Sequence, residues 1–402
     1  MGDVADRVTR KNKGMVSKLP LTISAQDGLI SQDEFFNKKV ASKDLSSYLL
    51  LHHGDFAYNK SYSNGYPFGT IKRLEKYPQG VVSSLYIAFK PNSRISSNFM
   101  AQYYESNNWH KEIYKCAAEG ARNHGLLNVP PSDFFATNLN IPITKSEQLK
   151  IGRLLNAVDQ TITLHEEKEH QLEQLKSALL QKMFADKSGY PAVRFEGFDE
   201  VWKHQKFSDI VKGLQNNTLS RSELNYECGT VKNIHYGDIL TKFGEFIDAS
   251  KTSLPYISDN TKADKFEKSF LKDGDIVIAD TAEDDTVGKC VEIQGSEHLK
   301  ISAGLHTIAC RPKQQYGSKY LGYYFNSPVY HNQLHPLMQG IKVTSISKSS
   351  IQNTDVYIPQ SVAEQSKIGD VLSKIDSLIS LNQREVKKLS IIKQSLLQKM
   401  FI

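Results

Sequence analysis

The chain has 402 residues, a formal net charge of +6, and 39% hydrophobic and 10% aromatic residues. This length suits two or three domains, and so much apolar material excludes a largely disordered chain. No stretch reaches the roughly 18–20 apolar residues of a membrane span, and residues 1–14 contain no apolar segment typical of a signal peptide. We therefore expect a soluble, cytoplasmic protein.

The cysteines and the charge restrict the chemistry only slightly. Cys116, Cys228, Cys290 and Cys310 form no C-x-x-C pair and have no nearby histidine pair. We therefore expect four reduced thiols, with neither a metal site nor a disulfide framework. The positive charge favours an anionic partner weakly, because many basic proteins bind no nucleic acid.

The first block, residues 1–140, contains short apolar runs bounded by turn residues, such as "SSLYIAFK". Such runs are typical of strands accompanied by some helix. We predict a mixed α/β globular domain here.

Residues 141–184 predict one long helix. Pro142 suits a helix start, and Thr144 or Ser146 offers a cap. Apolar residues then recur in steps of four and three, which is typical of a coiled-coil seam. The seam consists of Ile151, Leu155, Val158, Ile162, Leu172, Leu179 and Met183.

Residues 185–357 form the connector and the second block. The connector "ADKSGYPAVRFEGFDEVW" contains glycine, proline and charged residues. The runs that follow, such as "DGDIVIAD" and "GLHTIACRP", again predict a mixed α/β domain dominated by strands. In sequence the two blocks do not closely resemble each other.

Residues 358–402 predict a second long helix that repeats the first. Residues 358–401 align with 141–184 without a gap, with nineteen identities that include Gly152/Gly369 and Asp159/Asp376. Chance similarity between coiled coils would share leucines only, so we infer a duplication. The second seam consists of Ile368, Leu372, Ile375, Ile379, Val386, Leu389, Leu396 and Met400.

Both seams contain polar residues near the middle. These are His165, Glu169 and Lys176 in the first helix, and Asn382 and Lys393 in the second. They are either a solvated stretch or a device that fixes the register of an antiparallel pair.

Several enzymatic motifs are missing from the sequence. "TVGKC" lacks the upstream glycine and the final Ser or Thr of a P-loop. "NVPPSDF" does not fit an amino-methyltransferase tetrapeptide at either flank. The acids of "TAEDD" (281–285) only faintly resemble a metal-dependent nuclease site, and a solvated acidic turn is the favoured interpretation. The histidines have no Ser or Cys partner motif, so we predict no catalytic residue in this chain.

Three stretches, residues 58–73, 119–128 and 339–350, combine cations, amides and hydroxyls. These are the groups that contact phosphates and base edges. In each case a surface loop without DNA contact is the alternative. Two weaker candidates lie at "NIHYGD" and "GLHT". Together the candidate DNA-binding residues are Lys60, Tyr62, Ser63, Asn64, Tyr66, Lys72, Arg73, Arg122, Asn123, His124, His235, Tyr236, His306, Lys342, Thr344, Ser345, Ser347 and Lys348.

Two unlike blocks, each followed by an "EQ-x-K-I-G" helix that ends in "LLQKMF", resemble the specificity subunit of type I restriction–modification enzymes. The resemblance implies an α+β protein with two target-recognition domains and two repeated helices packed as an antiparallel coiled coil. It implies that each domain reads half of a bipartite double-stranded DNA site in the major groove. The helices would set the spacer and dock two methyltransferase subunits.

The resemblance also implies that catalysis lies in the partners. Two restriction/translocase subunits would complete the complex, and S-adenosylmethionine, ATP and Mg would be bound by partner subunits. The expected partner-binding helix residues are Ile151, Leu155, Ile162, Leu172, Leu179, Ile368, Leu372, Ile379, Leu389 and Leu396.

The predicted domains are 1–140, 141–184, 185–357 and 358–402. "GDVADRV" near the start corresponds to "SDIVKGL" (208–214), so a lead-in equivalent to 190–207 appears only before the second block. Two other functions remain open. One is a coiled-coil adaptor whose heads bind proteins, and the other is an autonomous nuclease that uses the "TAEDD" acids.

Overall fold

The computed structural model describes residues 1–38, 40–61, 65–117 and 127–401. The chain divides into two compact units. Unit 1 comprises Met1–Glu166 and Gln383–Ile402, and unit 2 comprises Glu167–Asn382. Within the described ranges, no helix is both long and apolar enough to span a membrane.

Unit 1 contains eight named strands and the start of the first long helix. The strands are β1 Ala5–Arg7, β2 Leu21–Ser24, β3 Gly28–Ser31, β4 Leu49–His52, β5 Phe56–Asn59, β6 Thr70–Arg73, β7 Gln79–Val82 and β8 Ile87–Pro91. The helices are α1 Gln32–Phe36, α2 Ser97–Glu105, α3 His110–Ala117, α4 Pro131–Ala136 and α5 Lys145–Lys182. A short 3-10 helix covers Lys13–Met15.

The main sheet of unit 1 has the strand order β1-β8-β5-β6, with antiparallel neighbours. Its core face is aromatic: Phe56 stacks on Phe89 at 5.1 Å, and Tyr58 stacks on Phe134 at 5.4 Å. Alternate residues of each strand point to this face, as the period of a half-buried strand requires. The pairs β2–β3 and β4–β7 complete the unit's strands.

Unit 2 contains thirteen named strands and the start of the second long helix. The strands are β9 Lys203–Lys206, β10 Val211–Gly213, β11 Leu224–Asn225, β12 Lys232–Ile234, β13 Phe246–Asp248, β14 Tyr256–Ile257, β15 Ile276–Ala279, β16 Thr281–Ala282, β17 Cys290–Gln294, β18 Ile301–Ala303, β19 Thr307–Pro312, β20 Thr344–Ser345 and β21 Asp355–Ile358. The helices are α6 Phe207–Ile210, α7 Tyr236–Thr241, α8 Asn260–Ala263, α9 Tyr320–Asn326, α10 Pro328–His331, α11 Lys348–Gln352 and α12 Val362–Met400. Short 3-10 helices cover Arg221–Glu223, Asp264–Ser269 and His335–Leu337.

The main sheet of unit 2 has the order β10-β19-β15-β17-β13, and a second sheet has the order β11-β14-β12-β18. Most neighbours are antiparallel, while β13–β17 and β12–β18 are parallel. Smaller pairs form between β16 and β20 and between β9 and β21. Both units mix short helices with mainly antiparallel sheets, which confirms the α+β prediction.

The two units repeat one design in the sheet as well as in the long helix. The order β1-β8-β5-β6 corresponds to β10-β19-β15-β17. Ala5 faces Pro91 in unit 1, and Val211 faces Pro312 in unit 2. The sequence alignment of "GDVADRV" with "SDIVKGL" therefore matches equivalent edge strands.

Each long helix is held against its unit by a buried glutamine near its first turn. Gln148 accepts a hydrogen bond from Ser96 N at 2.9 Å and donates to Pro142 O at 3.0 Å. At the corresponding position, Gln365 accepts from Gly317 N at 2.7 Å and donates to Pro359 O at 2.8 Å. Because a buried amide must satisfy its donors and acceptors, these bonds fix where each helix starts.

In each unit, one lysine–aspartate pair links the two long helices. In unit 1, Lys393 Nζ of α12 lies 2.6 Å from Asp159 Oδ1 of α5. In unit 2, Lys176 Nζ of α5 lies 2.7 Å from Asp376 Oδ1 of α12. The four residues occupy two corresponding positions of the sequence repeat, so the polar seam lysines have defined carboxylate partners.

Glu292 of β17 gives unit 2 an expected pH dependence. Its carboxyl group is buried and accepts hydrogen bonds from Lys319 N at 2.6 Å and Gly322 N at 2.9 Å at the start of α9. Burial raises the pKa of Glu292 to about 7. Between the ordinary carboxyl pKa and about pH 7, the folded chain thus binds a proton that the unfolded chain lacks.

We therefore expect Glu292 to contribute a decrease in the free energy of unfolding as the pH rises from about 4.5 to about 7. Buried histidines such as His235, whose pKa is lowered, contribute in the opposite direction. Glu292→Gln should remove the Glu292 contribution, because the amide cannot ionise, so the two proteins should differ in slope. Urea denaturation of both proteins across this range measures the difference. Equal slopes for the two proteins would contradict the assignment to Glu292.

Candidate nucleic-acid interface

The start of α7 carries two of the predicted DNA-binding residues. His235 caps this helix, and its Nδ1 accepts a hydrogen bond from Gly237 N at 3.1 Å. Burial, followed by the charge of Arg221, lowers the pKa of His235. The ring is therefore neutral near pH 7, as its acceptor role requires. Tyr236, the first helical residue, is half-buried beside it.

His306 lies next to Tyr236. The two rings are 5.2 Å apart between centroids in an edge-to-face arrangement. His306 has a positive φ of 53°, and its side chain is 47% exposed. Its Nδ1 lies 3.4 Å from Thr281 Oγ1. The ring contacts place His306 beside Tyr236 and His235, so three predicted residues from two distant stretches lie together. We call His235, Tyr236 and His306 the histidine–tyrosine cluster.

A short hairpin of residues 339–345 lies beside the histidine–tyrosine cluster, because its strand β20 pairs with β16. Thr281 of β16 pairs with Ser345 of β20, and Ala282 pairs with Thr344. Gln339 and Ser345 exchange backbone hydrogen bonds of 2.9 and 2.8 Å that close the hairpin. Its tip includes the exposed Lys342 and the fully exposed Ile341, so the predicted Lys342, Thr344 and Ser345 lie on one projecting element.

Sequence reasoning missed three exposed side chains beside α7. Arg221 makes a two-pronged ion pair with the buried Asp238, with N–O distances of 2.7 and 2.8 Å. Lys242 Nζ lies 2.8 Å from the same carboxylate and 5.9 Å from the ring centre of the exposed Tyr226. Two cations thus share one carboxylate, which leaves a net positive charge. No motif in "SRSELNYEC" marks Arg221 or Tyr226, because only the fold brings them to Asp238 and Lys242.

Ser347 and Lys348 lie at the start of α11. Ser347 Oγ caps the helix by accepting from Ser350 N at 3.1 Å. Lys348 borders a cavity of about 210 Å³ that Lys212 and Lys313 also line. Three lysines around one small cavity suit a phosphate group.

In unit 1 the predicted cations Lys72 and Arg73 have protein partners. Lys72 Nζ lies 2.6 Å from Glu105 Oε1. Arg73 pairs with Glu75 and donates to Ser97 Oγ at 2.9 Å. Both line a groove of about 1090 Å³ beside α5. These contacts occupy the N–H donors of Lys72 and Arg73 that a DNA contact would need. DNA binding by the two residues stays a prediction.

The other predicted residues of unit 1 divide into two groups. Lys60 is half-buried and donates to Val129 O at 3.2 Å, and Tyr66 is 39% exposed. The remainder lie outside the described residues: Tyr62, Ser63, Asn64, Arg122, Asn123 and His124.

The predicted partner-binding residues of the long helices face inward. Ile151, Leu155 and Leu396 contribute to the core of unit 1, while Leu179, Ile368 and Leu372 contribute to that of unit 2. Ile162, Leu172, Ile379 and Leu389 are half-buried. Their assignment to partner contact stays a prediction.

Among the exposed apolar residues of the two long helices are two pairs at corresponding positions of the repeat. They are Leu164 at 64%, Leu175 at 47%, Leu381 at 49% and Ile392 at 40%. Leu164 and Leu381 occupy corresponding positions of the repeat, as do Leu175 and Ile392. The duplication thus preserves two outward apolar positions on each helix.

The described residues include no group of three or more His, Cys, Asp or Glu side chains placed to hold a metal ion. In particular, Asp284 of the "TAEDD" stretch has a local role, because its carboxylate accepts a hydrogen bond from Thr286 N at 3.0 Å. This is the geometry of a polar turn.

Residues 200–390 match the family model of the type I restriction modification DNA specificity domain. Residues 200–390 therefore form a DNA specificity domain of the type I restriction–modification family. The specificity subunit of the type I restriction enzyme MjaVIII from Methanocaldococcus jannaschii is 20% identical over 330 residues, which are 79% of this chain and 73% of that one.

Two solved structures share the fold of this chain. A type I restriction–modification S subunit from M. genitalium has a TM-score of 0.55 and 14% identity, covering 100% of this chain and 94% of that chain. A chain from a structure of the assembly and conformational transition of a type I R-M system has a TM-score of 0.52 and 17% identity, covering 100% and 96%.

Proposed function

We propose that this specificity subunit recognises a bipartite double-stranded DNA site, with each globular domain reading one half in the major groove. The observation that carries the proposal is the match of 200–390 to a DNA specificity domain, together with the same sheet order and helix-start contacts in unit 1. A protein built twice from one design suits a site read in two halves.

In unit 2 we propose that the histidine–tyrosine cluster and the hairpin 339–345 contact DNA. The exposed side chain of His306, the half-buried Tyr236, a hydroxyl-bearing strand and two nearby cations provide the groups that reach base edges and phosphates. Arg221 and Lys242 share Asp238, so their surplus charge is available to a phosphate. The three-lysine cavity would bind a second phosphate.

We propose that α5 and α12 pair as an antiparallel coiled coil that sets the unread spacer between the half-sites. The two lysine–aspartate pairs, one in each unit, support an antiparallel register. The exposed Leu164, Leu175, Leu381 and Ile392 support docking of one methyltransferase subunit on each helix. Residues eleven apart are about three turns apart, so Leu381 and Ile392 share a face of their helix.

In this proposal the chain itself catalyses nothing. Methyltransferase subunits would bind S-adenosylmethionine, and restriction/translocase subunits would bind ATP and Mg. Two copies of each would complete a complex that acts on DNA in the cytoplasm.

Loss of the cluster should affect one half-site. For Tyr236→Ala/His306→Ala, we expect discrimination at the half-site read by unit 2 to fall about 10- to 100-fold, since a base contact contributes roughly 1–3 kcal/mol. The other half-site should be read as before. Mapping the methylated sites of a genome that expresses the complex, wild type against variant, measures both halves at once.

Lys251→Ala is the control for this experiment, because Lys251 is an exposed lysine of unit 2 that pairs with Asp248. It should leave both half-sites unchanged. Equal loss at both half-sites would argue against base reading by the cluster. An assembled complex with equal affinity for every duplex would refute the proposed function and favour a protein-binding adaptor.

Docking on the helices should depend on the exposed apolar positions. We expect Leu381→Glu/Ile392→Glu to weaken association with the methyltransferase subunit at least tenfold, because a charge would be buried at the interface. Titration calorimetry measures the affinity. Lys387→Glu, which places a carboxylate at an exposed polar position, is the control. Equal effects of both changes would contradict apolar docking at these positions.

A further inference from the structure

The two histidines of the histidine–tyrosine cluster follow the ends of two parallel strands in unit 2. Asn233 of β12 lies opposite Ser302 of β18 in this pair. His235 comes directly after β12, and His306 comes three residues after the end of β18. Side chains just beyond the carboxyl ends of parallel strands lie together at one edge of the sheet. The distance between the two rings therefore depends on how these strand ends are held.

One buried amide, that of Asn217, joins the two strands. Its Nδ2 donates to Asn233 Oδ1 at 2.7 Å and to Ser302 Oγ at 3.1 Å. Its backbone N–H donates to Ala303 O at 2.8 Å, at the end of β18. Asn217, Asn233 and Ser302 are each at most 1% exposed. Because water cannot replace a lost partner easily at a buried site, these hydrogen bonds fix the local geometry.

The same amide also holds the segment that carries Arg221. Asn217 Oδ1 accepts a hydrogen bond from Leu219 N at 3.1 Å, and Arg221 follows two residues later. Asn217 therefore contacts three segments. These are the loop before Arg221, the strand before His235 and the strand before His306.

A second asparagine of unit 2 makes comparable hydrogen bonds at another place. The half-buried Asn326 donates from Nδ2 to Cys290 O and Gly322 O, each at 2.8 Å, and its Oδ1 accepts from Cys290 N at 3.0 Å. Asn326 joins α9 to β17, and neither element carries a residue of the cluster. The two amides thus differ in what they hold together, which makes Asn326 a matched control for Asn217.

We propose that Asn217 is a positioning residue for DNA reading by unit 2, because it fixes how Arg221, His235 and His306 lie relative to one another. This inference rests on the proposed function, in which these side chains contact DNA. Groups that bind a partner must be held within about 0.5 Å of their productive geometry. Loss of the shared amide lets the three segments shift separately, so bases are read less strictly while the charge that attracts phosphates is unchanged.

The test measures two affinities of the complex assembled with its methyltransferase subunits. One labelled duplex carries the full site, and the other carries one substituted base pair in the half-site at which Tyr236→Ala/His306→Ala loses discrimination. We expect Asn217→Ala to lower the ratio of the two affinities at least tenfold. The corresponding ratio for the other half-site should not change. A domain that is merely destabilised has a smaller active fraction, which alters both apparent affinities by the same factor and leaves their ratio as it was.

Two further variants separate positioning from stability. Asn326→Ala should leave the ratios of both half-sites unchanged, although it also removes a hydrogen-bonded amide of unit 2. Ser302→Ala removes one of the two acceptors of Asn217 Nδ2, so we expect a smaller fall in the same ratio as for Asn217→Ala. If Asn217→Ala does not yield a folded complex, Ser302→Ala decides, and an unchanged ratio there overturns the proposal.

The remaining outcomes distinguish this proposal from the proposed function. A wild-type complex that discriminates, together with an Asn217→Ala complex that discriminates equally well, overturns the positioning role alone. An equal fall for Asn217→Ala and Asn326→Ala also overturns it, because any loss of stability would then have the same effect. A wild-type complex that binds every duplex equally overturns the proposed function and the positioning role together.

Discussion

Gly369→Ala is expected to lower the free energy of unfolding by about 2 kcal/mol, although alanine favours a helix over glycine by about 1 kcal/mol. Gly369 lies in the second turn of α12, where a Cβ would be 2.5 Å from Ser318 O and 3.4 Å from Tyr320 N. These are backbone atoms at the start of α9, so neither can rotate away. The helix must instead move away from the start of α9.

Gly152→Ala tests the same argument in unit 1. Here a Cβ would be 2.8 Å from Phe99 N and 3.0 Å from Asn98 C, again backbone atoms. We expect a loss in the same direction and of similar size. Gly244→Ala is the control, because a Cβ there meets nothing within 4 Å. Urea denaturation compares the three variants, and a net gain in stability at Gly369 would show that helix propensity outweighs the close contact.

The glycines also show why the long helices are the most predictable part of the chain. The sequence predicts helices within 141–184 and 358–402, and the structure has Lys145–Lys182 and Val362–Met400. Periodicity, the prolines before each start and gapless duplication all indicate the same element. Gly152 and Asp159, which are identical to Gly369 and Asp376 in the repeat, have matching contacts in both units.

The sheets were less predictable. The two blocks look unrelated in sequence, yet they share the order β1-β8-β5-β6 and β10-β19-β15-β17. Any apolar residue fills an inward strand position, as Phe56 of β5 and Ile276 of β15 do at equivalent places. A sheet therefore keeps its topology while its sequence diverges, because pairing uses the backbone.

The candidate site was predictable only in unit 2, and there only partly. His235, Tyr236 and His306 were predicted separately, and the fold brings them together. In unit 1, Lys72 and Arg73 were predicted to contact DNA. The structure places them on β6, where Lys72 pairs with Glu105 of α2 and Arg73 pairs with Glu75, two residues along the chain. Sequence reasoning cannot anticipate the pair between Lys72 and Glu105, because it depends on which distant side chain the fold brings close.

Glu364→Ala should cost about 3 kcal/mol of the free energy of unfolding, because removing one partner of a buried ion pair strands the other. Glu364 is 1% exposed and satisfies Arg194 and Trp202 Nε1 together. Alanine would leave the guanidinium and the indole N–H without their acceptor, and would loosen the segment that carries β9. Urea denaturation measures the loss.

Glu147→Ala is the matched control, since Glu147 holds the corresponding place in the repeat and is exposed. Exposed positions without such partners usually change stability by about 0.5 kcal/mol or less. The two variants remove the same side chain from the same turn of two similar helices. Any difference in the free energy of unfolding therefore measures what the contacts of Glu364 with Arg194 and Trp202 contribute. Equal losses would mean that Glu364 acts through its own helix and not through Arg194 and Trp202.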